Sequence, residues 1–236
     1  MSNDNAQPEN PFRTRGFIAA AIVVGVIVLA AIIVLVSALT APKDPVAQPT
    51  STSGPVASGD DKSVCGLEDF ETENTLTEAP TNDWELVGVV AAPSSPDVGP
   101  GVIDDGFRSC FAHTAQGALF AAVNFIALGT DASTGPRLIE LVAPGAGRDA
   151  LEEQGSSGGP SSLRAQVAGF AISNYTADGV TVDLALNYST GDLVSVPLKL
   201  VWAEGDWKVE MTDEGKLPLA PGEIASLGGY IPWSGA

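Results

Sequence analysis

Val180-Thr-Val-Asp-Leu-Ala-Leu-Asn-Tyr188, Ser189-Thr-Gly-Asp192 and Val194-Ser-Val-Pro-Leu-Lys-Leu-Val-Trp202 together decide the fold. Val180, Val182, Leu184, Leu186 and Tyr188 fall on one face of an extended chain, with Thr181, Asp183, Ala185 and Asn187 on the other. The Ser189–Asp192 segment is a turn, and Val194, Val196, Leu198, Leu200 and Trp202 repeat the alternation. Ala203-Glu-Gly-Asp206 turns the chain again, and Trp207, Val209 and Met211 return along it. Trp202 and Trp207 flank this hairpin and pack across it. Pro197 has no N–H to give a ladder, so it marks an edge, a bulge or a sheet corner.

Working outward, Ala165 to Tyr175 reads as the strand before the meander, and Gly155 to Ser162 as a Gly/Ser loop. Upstream lies the clearest helix. Thr114 is its N-cap, Leu119, Ala122, Val123 and Ile126 lie at i, i+3, i+4 and i+7, and Gly129 follows its end. Pro136 opens a short second helix through Val142, and Arg148 to Gln154 a third. Trp84 to Val90 reads as one strand entering a Pro/Gly/Ser loop, Ala91 to Gly101. Cys65 to Asn82 reads as irregular chain. The order of strand, helices and then antiparallel strands predicts an α+β domain, a curved sheet wrapped around two or three helices.

Further out, Gly16 to Thr40 carries no charge and is dominated by Ala, Ile, Val and Leu. Its 25 residues would rise roughly 37 Å as a helix, more than the ~30 Å hydrocarbon core. Arg13 and Arg15 precede it, which predicts a cytoplasmic N-terminus and an extracytoplasmic C-terminal domain at the plasma membrane. The expected organisation is a cytoplasmic tail over 1–15, a transmembrane helix over 16–40, a Pro/Ser/Thr linker over 41–63 and the folded domain over 64–236.

From Val64 onward, 24 acidic residues face 7 basic ones. Phosphate recognition needs clustered Lys and Arg, so nucleic acid is excluded as a partner. The partners expected are the bilayer through 16–40, proteins of the cell envelope, and a second copy of the chain. The two cysteines, Cys65 and Cys110, with one histidine fall one ligand short of a zinc site. Outside the cytoplasm they would pair as a disulfide; a domain kept inside would leave two separate thiols.

Little here reads as reaction chemistry. His113 is the lone histidine, more often a cap or a surface group than a base. Asp183 points away from the apolar stripe, toward solvent, and Tyr188 sits near a turn. Asp104-Asp-Gly106 is a plain turn, and neither Gly99-Pro-Gly101 nor Pro144-Gly-Ala-Gly147 is followed by the Lys of a phosphate loop. Tyr230 and Trp233, in Leu227-Gly-Gly-Tyr-Ile-Pro-Trp233, put an aromatic pair near the chain end, either as an interface anchor or as a plug for the core. No catalytic residue and no cofactor is expected. His113, Tyr188, Trp202, Trp207, Tyr230 and Trp233 form the pocket or interface candidates.

The helix from Thr114, the short helices and the Glu204-Gly-Asp-Trp-Lys-Val209 hairpin resemble the nuclear transport factor 2-like (cystatin-like) cone over about Cys110 to Met211. With its apolar run, the Ala91-Ala-Pro-Ser-Ser-Pro96 loop and the Tyr230-Ile-Pro-Trp-Ser-Gly end, the chain resembles a family of uncharacterised actinobacterial single-pass membrane proteins. These are similar in architecture to the bitopic scaffold subunits of conjugative, type IV-like secretion systems. The resemblance implies a non-enzymatic assembly role; the alternative is a cone that binds or transforms a small molecule.

Overall fold

The computed structural model describes residues 62–155 and 164–234. The chain divides after Thr52, and all of these residues belong to the second unit, Ser53–Ala236. The expected tail, transmembrane helix, nearly all of the linker and most of the Gly155–Ser162 loop lie outside the described residues. Among the described residues, no helix is long and apolar enough to cross a membrane.

The domain is α+β, with a large antiparallel sheet and three helices among the described residues. The decisive stretch forms β6 (Gly179–Tyr188) and β7 (Leu193–Ala203), paired from Gly179↔Val201 to Asn187↔Leu193. Strand β5 (Ala165–Ser173) pairs with β6, and β8 (Asp206–Val209) with the end of β7. Two short strands come from the tail: β9 (Gly222–Glu223) on β7 and β10 (Ile231–Pro232) on β5. The path is β10-β5-β6-β7-β8, with β9 on β7's outer edge. Glu210 N–H donates to Lys199 C=O at 2.8 Å and Ile224 N–H to Leu193 C=O at 2.9 Å, so the odd-numbered residues of β7 face that edge. Pro197 falls between these two pairings, where its missing N–H costs no ladder bond.

Helix α1 (Ala115–Gly129) is the centre of the domain. It touches β5 to β8, two earlier ribbons and the 3-10 helix η1 (Gly135–Leu141). Eleven of its fifteen residues are buried, as expected of a helix that is apolar all round. Thr114 Oγ caps it by accepting the Gly117 N–H at 3.0 Å. A Cβ at Gly117 would lie 1.9 Å from Ala112 O, so the chain entering the helix crosses its first turn at a distance only glycine allows. The helix closes at Thr130 rather than in a left-handed glycine: Gly129 is its last residue, and Thr130 Oγ1 donates to Ala127 O at 2.6 Å. The segment from Pro136 is the 3-10 turn η1, and α2 spans Ala146–Gln154.

The first strand also departs from expectation. Trp84 to Val90 is not a single strand, and the segment expected to be a loop from Ala91 begins as a paired strand. β1 (Asp83–Val87) turns at Gly88 and pairs with β2 (Val90–Ser94), Trp84 opposite Pro93. Gly88 has φ +58°, a conformation that a side chain disfavours. A continuous apolar run across this glycine hid the reversal. A second ribbon, β3 (Val102–Asp104) and β4 (Phe107–Ser109), turns at Asp105-Gly106, as the plain-turn reading expected.

Candidate functional site

His113 is neither a surface residue nor the helix cap; it is 2% exposed. Its ring stacks on Trp202 at 3.7 Å with 4° between planes, and the Trp207 ring meets it edge-on at 5.5 Å. Trp202 and Trp207 are direct cross-strand partners, 5.4 Å apart. Phe70 closes the cluster with an edge contact to His113 at 4.9 Å. The His113 Nε2 is hydrogen-bonded to Ala177 O, and the Trp207 indole N–H donates to Ala112 O at 3.0 Å. An imidazole so enclosed is fixed as a packing element.

Phe70 arrives on a strap, Ser63–Glu71, that lies over this cluster. Val64 N–H donates to Gly205 O at 2.8 Å, and Glu71 N–H to His113 O at 3.0 Å. Glu71 also caps α1, its Oε2 accepting the Ala115 N–H at 3.0 Å, where a carboxylate meets the positive end of the helix. Tyr175 donates its hydroxyl to Glu71 O at 3.0 Å. Burial, and then the Glu71 charge, hold the Tyr175 phenol well above its ordinary range.

The strap is fastened by the Cys65–Cys110 disulfide, with Cα atoms 6.2 Å apart. Gly101 lies against it: a Cβ there would sit 2.3 Å from Cys65 Sγ. On the inner side Asp206, 2% exposed, accepts the N–H groups of Cys110, Phe111 and Trp207, each at 2.9 Å. Cys110 has φ +66°, and this clasp holds it there. Burial pushes the Asp206 carboxyl above its ordinary range, against the opposing pull of Lys208 at 3.7 Å and the three amides.

The remaining candidates lie elsewhere. Trp233 is 6% exposed, seated on Trp84 at 4.6 Å, Phe170 at 5.5 Å and Phe120 at 6.0 Å, with its indole N–H on Asn82 Oδ1 at 3.1 Å. Tyr230 donates its hydroxyl to Asp183 Oδ2 at 2.8 Å, and Ser195 donates to Oδ1 at 2.8 Å. Asp183 therefore faces the tail, not open solvent. Burial raises the Tyr230 phenol, with Asp183 adding to the shift. Tyr188 packs at the core's margin, apart from both clusters.

Sequence reasoning missed Phe70, Glu71 and Asp206. In sequence Asp206 is only a turn residue, yet two of the amides it accepts lie 95 and 96 positions away. It also missed Arg108, which is 2% exposed and donates to Glu85 at 2.6 Å and Asn124 at 2.8 Å. A polar recess of about 330 Å³ opens among Asn174, Asp178, Thr181, Lys199 and Glu210. Among the described residues, no group of three or more His, Cys, Asp or Glu is placed to hold a metal ion.

These features define a class: a disulfide-strapped α+β domain with its helix at the centre of an antiparallel sheet. The chain belongs to the family described as Domain of unknown function (DUF8175), whose model matches residues 41–232. No curated protein and no solved structure matches it.

Proposed function

We propose that this protein is a membrane-anchored, non-catalytic interaction module of the cell envelope, a scaffold subunit of a conjugative, type IV-like secretion apparatus. Its domain is a nuclear transport factor 2-like cone held outside the cytoplasm. The observation that carries the non-catalytic part is the fate of the lone imidazole: His113 is stacked on Trp202, edge-packed by Phe70 and Trp207, and 2% exposed. The uncharged run Gly16 to Thr40, with Arg13 and Arg15 before it, supports the anchor and its direction. The disulfide agrees with an oxidising compartment. A ligand-binding cone would need space between α1 and the sheet. Leu119, Phe120, Phe170, Leu184 and Leu198, all 0% exposed, belong to one apolar core cluster, which favours a packed interior.

Protease added to intact spheroplasts is expected to remove the domain, and in-cell crosslinking is expected to recover envelope proteins with the chain. Protection of the domain until lysis would overturn the topology. Crosslinking that yields only monomer would overturn the scaffold role.

A further inference from the structure

The two halves of the disulfide have opposite surroundings. Cys110 is 1% exposed and lies beneath the Asp206 clasp. Cys65 is exposed, as are Val64 and Gly66 on either side of it. Thiol exchange begins when a thiolate reaches one sulfur of the bridge, so access selects the sulfur attacked. The other sulfur leaves as a thiolate, and here it has a donor in place: Cys65 N–H points to Cys110 Sγ at 3.1 Å. A hydrogen bond to the departing thiolate lowers its basicity and speeds its departure.

We infer that Cys65 is a thiol-exchange site for a dithiol reductant, and that exchange there frees the strap Ser63–Glu71 while the Cys110 side stays in place. In the first step a reductant thiolate bonds to Cys65 Sγ, the Cys65–Cys110 bond breaks, and Cys110 departs as a thiolate that takes a proton from solvent. In the second step the reductant's other thiolate attacks its own sulfur in the mixed disulfide and expels Cys65. The bridge gains two electrons and two protons, and the dithiol becomes a disulfide.

The consequence is local because the fastenings are unequal. Cys110 and Phe111 are held by a carboxylate, which reduction does not touch. Without the bridge, the strap keeps non-covalent contacts: the Cys65 N–H on Cys110 Sγ, the Val64–Gly205 bond, the Phe70 edge contact and the Glu71 contacts. Its departure uncovers His113 and removes the acidic cap from α1. The inference is independent of which side of the membrane the domain occupies.

The test uses the full chain in detergent micelles with glutathione, a monothiol that leaves its adduct in place. After quenching with N-ethylmaleimide, mass mapping is expected to find glutathione on Cys65 about tenfold or more over Cys110. An equal or reversed split, or adduct formation no faster than global unfolding, overturns the site. Hydrogen exchange on protein held reduced by dithiothreitol tests the release without any substitution. The Val64, Glu71 and Ala115 amides are expected to lose protection while those of Cys110, Phe111 and β5 to β7 keep it. Uniform loss, or no loss, overturns the release.

Discussion

Two aromatic clusters in this domain are built from similar parts and closed by different means. Around His113, the rings of Trp202, Trp207 and Phe70 are covered by a segment that a covalent bridge ties down. Around Trp233, the rings of Trp84, Phe120 and Phe170 are covered by a tail that holds without a covalent tie, through a two-residue strand, packing and the Tyr230 and Trp233 side-chain hydrogen bonds. The first closure includes a bond that reduction can open, and the second relies on burial and hydrogen bonds. The difference shows in sequence order too. The strap joins the domain to the N-terminal run, whereas the tail returns to the sheet's opposite edge.

Substitutions can break this contrast. The largest effect is expected from Trp207→Ala, which empties a fully enclosed indole site and leaves Ala112 O with only the Thr114 N–H as donor; urea unfolding should report a loss of about 4–5 kcal/mol. Cys65→Ser reopens a loop whose ends are 45 positions apart, with an expected loss of about 4 kcal/mol by loop-closure entropy. The same variant studied with reductant present should show no further loss. Trp233→Ala should cost about 3 kcal/mol and, unlike the bridge variant, should be indifferent to reductant. A redox-dependent stability in Trp233→Ala would erase the distinction between the two closures.

Asp206→Asn gives the smallest effect and the finest discrimination. The folded Asp206 carboxyl titrates above its unfolded value, so its contribution is fully present below about pH 3.9 and is lost as pH rises through the folded value. Wild-type stability should therefore fall more steeply with rising pH above about 4 than that of Asp206→Asn. Thermal melts across pH 4 to 7 measure the slopes, and parallel curves would remove the carboxyl from the account.

The sheet was legible because its signal is local. Alternation in Val180–Tyr188 and Val194–Trp202, with turn residues between, marks both strands and the turn that joins them. The same held for Thr114 as the cap of α1. The β1–β2 reversal was hidden because Val87-Gly-Val-Val90 reads as one apolar run; only the positive φ of Gly88 separates the strands. Strands β9 and β10 have two residues each, too few for any period to register. In the site, the Trp202–Trp207 pair was legible from its hairpin. The placement of His113 between Phe70 and Trp202 was not. Neither was the Asp206 clasp, because each joins positions far apart through packing that no spacing rule encodes.

Pro197 has one more consequence. The outer border of β7 is shared between β8 and β9, with a residue that cannot donate in the interval. A foreign strand sliding along that border meets occupied positions, then a gap without a donor, then occupied positions again. Self-templated stacking into fibrils needs an unbroken row of open amides, and here the row is interrupted by a single imino acid.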